Sequence, residues 1–596
     1  MSITPRGMSI MEAYRNYRGN KLIVNRKYQR KLVWSLDEKK ALIESILKGY
    51  PIPLILLAEK EKEEYEIIDG MQRLNALFAF IENEFAVNLE GKEVYFDIKF
   101  FPFASNVSDK GMFKRIIQTE EVNFLDEDNI SKFLEYQLPI SIYFSKSEEA
   151  VNDIFKRINS FGRHLSPQEV RQAGVLTVFA DLVRKLSAEL RGDDTKDALF
   201  LTEMPEVSVD SKSLKLGYRV KAEEIFWCTQ GIINIPQLRD SEDEQLIADI
   251  ILSIVLEQPF AASRENLDSY YGKGAKDNSN EVDIAINKYG GPENVRKDIK
   301  IVYSKIKEIM DNDLSDKRLK NILNPNAGSN PVKEPFYTVF MSFYKLMIQE
   351  EKEPFNIEEI FNGLYDLAGS LARGSHQITT AKRKKNIGKC YGLIQDYFKK
   401  SDNIYRSSGT LSLDFENYLK RSKVEAPMYD FKQGLYDLED GKRKLNEDMF
   451  EKIMCNIAAF ANLGKDKVGF LFLGVTDKEQ DTKRVEKLDD LTNVPRIEEF
   501  GVVGLEREAK IRKVSLDRYI TFITERIKNS ELPEWLKVYV NTNVTPVTYR
   551  GHTVLIIKVK SNSEPVWYKD KLYIRDGSNC KEVVGKDTAS VYNLFK

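Results

Sequence analysis

The residues best suited to chemistry are Asp69-Gly70-Met71-Gln72-Arg73, at the junction between an apolar run, Tyr65-Glu66-Ile67-Ile68, and a helical one. Leu74, Leu77, Phe78 and Ile81 recur at i, i+3, i+4 and i+7, which is one buried face of a helix. The first turn of such a helix offers unpaired backbone N–H groups and the positive end of the helix dipole, a setting for phosphate or another anion. Gly70 lets a backbone come close to a ligand. Arg73 opposes the dipole at this end, and an anionic ligand would remove the conflict. The competing reading is that Asp69 caps the helix and pairs with Arg73 or with the backbone.

The elements that must position this turn surround it in sequence. A helix is expected over 36–48, with Leu42, Ile43, Ile46 and Leu47 on its apolar face and Gly49 as its stop. Tyr50-Pro51-Ile52-Pro53 breaks the chain, and Leu54-Ile55-Leu56-Leu57 reads as a buried strand sharing a small sheet with 65–68. Further strands are expected at 93–101 and 138–144, and a helix at 147–158. From 167 to 397 the pattern is mostly helical (178–190, 223–229, 244–256, 295–310, 336–349, 357–371), with polar or Gly-rich insertions at 271–280 and 325–330. The stretch 373–400 carries eight Lys or Arg against one acid, Asp396, and reads first as a solvated helix face. After a connector at 401–421 comes an α+β pattern. Phe450, Ile453, Met454, Ile457 and Ala461 mark a helix, 468–475 a buried strand and 516–528 a further helix; 536–540, 554–559 and 571–575 read as strands.

Length and composition bound the function. At 596 residues the chain exceeds one core, and about 150 residues per domain suggests three or four units. Lys and Arg total 90 against 92 Asp and Glu, so nucleic-acid contact must rest on local patches rather than a global basic field. Cys228, Cys390, Cys455 and Cys580 form no CxxC pair or zinc spacing. His164, His376 and His552 stand far apart, which argues against a histidine-built nuclease or protease centre. The N-terminal residues show no secretory pattern and no apolar run reaches membrane-spanning length, so a cytoplasmic protein with reduced thiols and no membrane partner is expected.

Three constellations in the first part are Tyr28-Gln29-Arg30 with Trp34, Asp69–Arg73, and Phe155-Lys156-Arg157-Ile158-Asn159-Ser160-Phe161-Gly162. In order and spacing they resemble the N-terminal domain of the GmrSD modification-dependent restriction enzymes and the SspE phage-defence proteins, a family with the ParB/sulfiredoxin-like α+β fold. The matches extend to Pro51-Ile52-Pro53 and to Leu165-Ser166-Pro167-Gln168-Glu169. The resemblance implies binding and hydrolysis of a nucleoside triphosphate, with Gln29, Arg30, Asp69, Gly70, Gln72, Arg73, Arg157 and Asn159 at the site. A helix N-terminus, a close-approach glycine and a guanidinium suit phosphate oxygens. Met71 stands where the family usually has a second glutamine, so hydrolysis is expected to suffer more than binding if that glutamine positions water.

The last part contains 425–432 (Glu-Ala-Pro-Met-Tyr-Asp-Phe-Lys), Ala459-Phe460-Ala461-Asn462, 473–477 (Leu-Gly-Val-Thr-Asp), Val566-Trp567-Tyr568 and 573–578 (Tyr-Ile-Arg-Asp-Gly-Ser). Together these resemble the AlbA-like domain of Schlafen proteins. The resemblance implies nucleic-acid binding, the role by which most bacterial relatives are described, and in nuclease Schlafens three carboxylates at these positions hold a divalent cation and cut RNA. By that resemblance Glu425, Asp430 and Asp477 are the metal ligands and, with Lys432, the catalytic set. Mg²⁺ or Mn²⁺ suits oxygen ligands and can activate water at a phosphodiester. Asp430 is shorter than the family's usual Glu, and residues 462–467 replace the usual tight hairpin with a longer polar one. The competing reading is that Asp477 caps a turn, Lys432 pairs with Asp430 and the domain only binds. Residues 420–596 hold 32 Lys and Arg against 28 Asp and Glu, a mild net +4. A nucleic-acid patch is expected from Lys432, Arg550, Lys569 and Arg575 with Trp567 and Tyr568 for stacking, at least one of these two rings being strand core instead.

The expected organisation is therefore multidomain α+β: a GmrSD/ParB-like nucleotide-binding domain at 1–174, an all-α domain at 175–400, a linker at 401–422 and a Schlafen AlbA-like domain at 423–596. The resemblances imply an anti-phage defence-type protein in which a nucleoside triphosphate controls a nucleic-acid-binding or metal-dependent nuclease domain. The alternative is a non-enzymatic sensor of DNA modification or nucleotide. An N-terminal domain that itself nicks DNA ranks last, and self-association is left open.

Overall fold

The computed structural model describes residues 3–27, 31–61, 63–116, 122–144, 154, 166–172, 174–193, 195–204, 207–208, 220–261, 263–312, 317–372, 378–401, 414–419, 426–439, 443–497, 499–577 and 579–595. Among the described residues, helix at 52% and strand at 19% make a mixed, multidomain chain compatible with the expected α+β class. Two compact units divide it, Met1–Ser401 and Asp402–Lys596.

The first unit is built on a six-stranded sheet in the order Ile3–Ser9, Gln137–Phe144, Ile55–Glu61, Glu64–Asp69, Leu22–Asn25, Ala198–Phe200. Ile55–Glu61 runs antiparallel to Glu64–Asp69 and parallel to Gln137–Phe144, and the register shifts between Leu56 and Leu57, beside Asp69. Such a shift bends a strand locally and re-aims its side chains. Leu36–Leu47 starts with a capping box between Ser35 and Glu38, which satisfies two otherwise orphan N–H groups. Met71–Ile81 buries Leu74, Leu77, Phe78 and Ile81 in the core formed with Ile43, Ile55, Ile67 and Phe133. The expected strand at 93–101 is shorter, Lys92–Tyr95, and gives way to a 3-10 turn at Ile98–Phe100. Apart from residue 154, the helix expected at 147–158 lies outside the described residues.

Helices then dominate, among them Val178–Arg191, Glu242–Val255 and Pro292–Asn312. Buried ion pairs hold them: Arg26, next to the sheet strand Leu22–Asn25, grips Asp193 through two bonds of 3.0 and 2.8 Å, and Arg191 pairs with Asp243 between two of the helices. The basic stretch 373–400 is not uniformly solvated. Arg383 is buried, bonding Asp249, Glu334 and the Phe260 carbonyl, while Lys384, Lys385 and Lys389 stay exposed.

The second unit centres on a four-stranded sheet, Tyr429–Lys432, Val468–Leu473, His552–Lys560, Val544–Tyr549. Glu447–Ala461 packs on it, and a three-stranded sheet of Trp567–Tyr568, Lys571–Asp576 and Asn579–Val583 joins that helix. Residues 414–419, inside the expected connector, are helical, and Phe415 and Leu419 pack against Tyr429 and Phe472. The expected strand at 536–540 is instead a helix, Glu534–Thr542. Leu536 and Val540, four apart, point together into the core, which a strand's period of two would also have allowed.

Candidate nucleotide turn and carboxylate centre

Gly70 is the N-cap of Met71–Ile81, with φ +99° and no side-chain cap. A Cβ there would need the left-handed conformation and would sit 2.9 Å from Ile55 Cγ1, so glycine is required on both counts. Asp69 does not cap the helix. Its Oδ1 accepts the Gly70 N–H at 2.7 Å and its Oδ2 accepts from Arg73 Nη2 at 2.8 Å. Arg73 Nη2 also donates to the Leu54 carbonyl at 3.2 Å. The dipole conflict at Arg73 is thus met within the chain by an i,i+4 ion pair. In that pair the carboxylate is 42% exposed and the guanidinium 11%, so a ligand arriving at the turn meets Asp69 first.

Gln72 turns to the main chain. Its Nε2 donates to the Lys31 carbonyl at 2.7 Å, and its Oε1 accepts from the N–H groups of Val33 and Trp34 at 3.1 and 3.3 Å. Lys31 in turn is buried, donating to the Leu238 carbonyl at 3.1 Å and to Ser241 Oγ at 2.8 Å. Arg26 and Lys31 therefore anchor both flanks of the 28–30 motif. Gln29, Arg30, Arg157 and Asn159 themselves lie outside the described residues.

In the second unit, motifs far apart in sequence meet around Asp430. Its carboxylate is 2.7 Å from Lys432 Nζ, accepts from Asn456 Nδ2 at 3.2 Å and lies 3.5 Å from Arg575 Nη1. Arg575 is buried beneath the Phe460 ring, bonds Asn456 Oδ1 and donates to the Tyr429 carbonyl at 2.9 Å. Burial raises the Asp430 carboxyl above its ordinary value against the pull of Lys432 and Arg575, and Asp477 pushes the same way. Burial likewise lowers the Arg575 guanidinium against the pull of Asp430. Asn462 closes a second link: its Nδ2 donates to the carbonyls of Val566 and Tyr573 at 2.9 and 2.8 Å, and its Oδ1 accepts the Val566 N–H at 2.6 Å. Gly474, at φ +101°, accepts the N–H groups of Val503 and Gly504 at 3.0 Å each. The turn it makes leads to Asp477, which is exposed.

Residues 10–176 match the family model described as GmrSD restriction endonuclease, N-terminal domain. Residues 425–584 match the model described as Schlafen, AlbA_2. The chain joins a GmrSD-type N-terminal domain to a Schlafen AlbA-like domain. No curated protein and no solved structure matches it.

Within the AlbA-like domain, the described residues supply two of the three expected carboxylates, Asp430 and Asp477, and Glu425 lies outside them. Among the described residues no group of three His, Cys, Asp or Glu side chains could hold a metal. Asp430 is already neutralised by Lys432 and Arg575, so the described donor set does not by itself fit a divalent cation, which needs several free oxygens. Of the expected nucleic-acid patch, Trp567 is 42% exposed, whereas Tyr568 is buried with its hydroxyl donating to Glu451 at 3.0 Å. Arg575 is also buried and serves Asp430 rather than the surface. Asn456 escaped the sequence reading, although an amide on the apolar stripe of Ile453, Ile457 and Phe460 was its signal. No helix among the described residues is long and apolar enough to cross a membrane.

Proposed function

We propose that the chain is a restriction-like defence protein in which nucleoside triphosphate binding at Asp69–Arg73 controls nucleic-acid binding by the AlbA-like domain. The observation that carries this reading is the presence in one chain of a GmrSD N-terminal match and a Schlafen AlbA_2 match. One part of the turn supports it: Arg73 offers a guanidinium in a local ion pair with Asp69, while Gly70 is closed by its packing against Ile55. The exposed Asp69 favours a triphosphate that arrives with Mg²⁺ over a bare one, because an unscreened anion would be repelled. Asp69 would hold that ion, which would screen the phosphate charge. We read the N-terminal sheet as ParB/sulfiredoxin-like and the protein as cytoplasmic, on the family resemblance.

Calorimetry with the four nucleoside triphosphates, with and without Mg²⁺, tests the turn. Binding that needs Mg²⁺ and weakens at least tenfold in Arg73→Ala is expected, and unchanged affinity in that variant overturns the assignment.

The second reading is metal-dependent cleavage by Glu425, Asp430 and Asp477 with Lys432. It rests on the Schlafen AlbA_2 match over residues 425–584, and it requires Asp430 to give up its pairing with Lys432 and Arg575. Labelled RNA and DNA incubated with Mn²⁺ separate the two readings: cleavage lost in Asp477→Ala establishes the nuclease, and tight binding without cleavage establishes a binding domain in a sensor or regulator.

A further inference from the structure

The helix Thr380–Ile394 in the first unit has one side fixed and the other bare. Arg383, Asn386, Cys390 and Ile394 are buried along the first side. Arg383 is held by Asp249, Glu334 and the Phe260 carbonyl, and Asn386 exchanges two bonds with the Ala372 main chain, at 2.8 and 3.1 Å. The opposite side presents Ala381, Lys384, Lys385, Gly388 and Gly392, all exposed, at the i, i+3, i+4 spacing of a single helical face. We propose that this face binds single-stranded nucleic acid, as a contact made by the first unit in addition to the AlbA-like domain. The inference rests on the reading that the chain handles nucleic acid.

Glycine is a poor helix former, and an interior glycine needs a reason. Packing within the chain is not the reason here, because a Cβ added at Gly388 or Gly392 meets nothing within 4 Å. Both positions leave the helix backbone open to close approach from outside. The charge on the same face says what approaches. Among the described residues the side chains of Lys384 and Lys385 have no partner, and Lys389 donates only to the Ser370 carbonyl, at 3.1 Å. Lys384 and Lys389 are five residues apart, about 7.5 Å along the helix, close to two nucleotide steps of about 3.4 Å each.

The acids of this region stand aside. Glu358 and Glu359 begin Ile357–Gly363, whose approach is tied to the Tyr397 carbonyl by the Phe355 N–H, past the C-terminal end of the basic helix. The Asp366 carboxylate folds back over Gly369, where an added Cβ would sit 2.8 Å from it. The segment 363–370 itself runs beside the helix: Gly363 packs against the Leu393 carbonyl, and Ser370 takes the Lys389 bond. Between those two contacts Tyr365 is 66% exposed. Cations that track a backbone beside a ring on which a base can stack are the pattern of single-strand binding. An anionic membrane would also attract the lysines, but the face lacks the row of large apolar residues that an interfacial helix buries.

Photocrosslinking the full chain to thiouridine-substituted single-stranded RNA, with adducts mapped by peptide mass and affinity followed across salt concentrations, tests the face. Adducts are expected within residues 363–394 as well as in the AlbA-like domain. Their yield in 363–394 should fall at least about tenfold in Lys384→Gln/Lys385→Gln/Lys389→Gln, and the slope of log affinity against log salt should shrink by about two. Tyr365→Ala should lower the same yield at least about fivefold. Gly388→Leu should raise the melting temperature of the first unit, since it favours the helix, and still lower the yield. Wild-type yield and salt slope in the triple variant overturn the site. Adducts confined to 425–584 overturn it too, while leaving the proposed function standing. Binding of phosphatidylserine vesicles that the triple variant loses, in a chain that binds no RNA, overturns both.

Discussion

Two Asp–Arg pairs, one in each unit, are built oppositely. Asp69 and Arg73 are four residues apart on one turn, with the carboxylate facing solvent. Asp430 and Arg575 are 145 residues apart, both buried, and held by Lys432, Asn456 and the Tyr429 carbonyl. A local pair whose carboxylate faces solvent is worth about 0–1 kcal/mol. A buried pair stripped of one member leaves an uncompensated charge and loses about 3–5 kcal/mol. The first arrangement suits a site that must release one partner to take another; the second fixes a scaffold.

The largest effect should therefore come from Arg575→Met, which should destabilise the AlbA-like unit by about 3–5 kcal/mol, read as a lower denaturant midpoint of its transition. A loss below about 1 kcal/mol would make the two pairs alike. Gly70→Ala should cost about 2–4 kcal/mol in the first unit, combining left-handed strain with the clash at Ile55. Arg73→Ala should shift stability by no more than about 1 kcal/mol yet weaken nucleotide binding at least tenfold.

The smallest effect is a pH dependence. Asp430 is raised in the folded state, so its favourable contribution is present at low pH and is lost as pH rises from the ordinary Asp value of about 3.9 through the raised one. Urea melts across that window should show the wild type losing stability relative to Asp430→Asn as pH rises. A gain instead would place the pair's attraction above the burial penalty.

What the sequence disclosed depended on how local the signal was. The strand, turn and helix around Asp69 are legible because a 3.6 period and an Asp-Gly step lie within twenty residues. Gln72 reads as a ligand residue, but its amide holds the main chain of Lys31, Val33 and Trp34, partners that no periodicity names. Arg383 reads as solvated for the same reason, since Asp249 and Glu334 lie 134 and 49 residues away. Leu536 and Val540 read as strand because a short apolar stretch fits both periods. In the AlbA-like domain the motifs were legible, but their mutual bonds, Asn462 to Val566 and Tyr573, and Arg575 to Tyr429, appear only in the fold.

The most direct test of the two-unit account is the affinity of the full chain for labelled single-stranded RNA and DNA, measured with and without saturating Mg²⁺–nucleoside triphosphate. The account predicts a change of at least tenfold, about 1.4 kcal/mol of coupling, that Arg73→Ala abolishes. Equal affinities in the two conditions would contradict it.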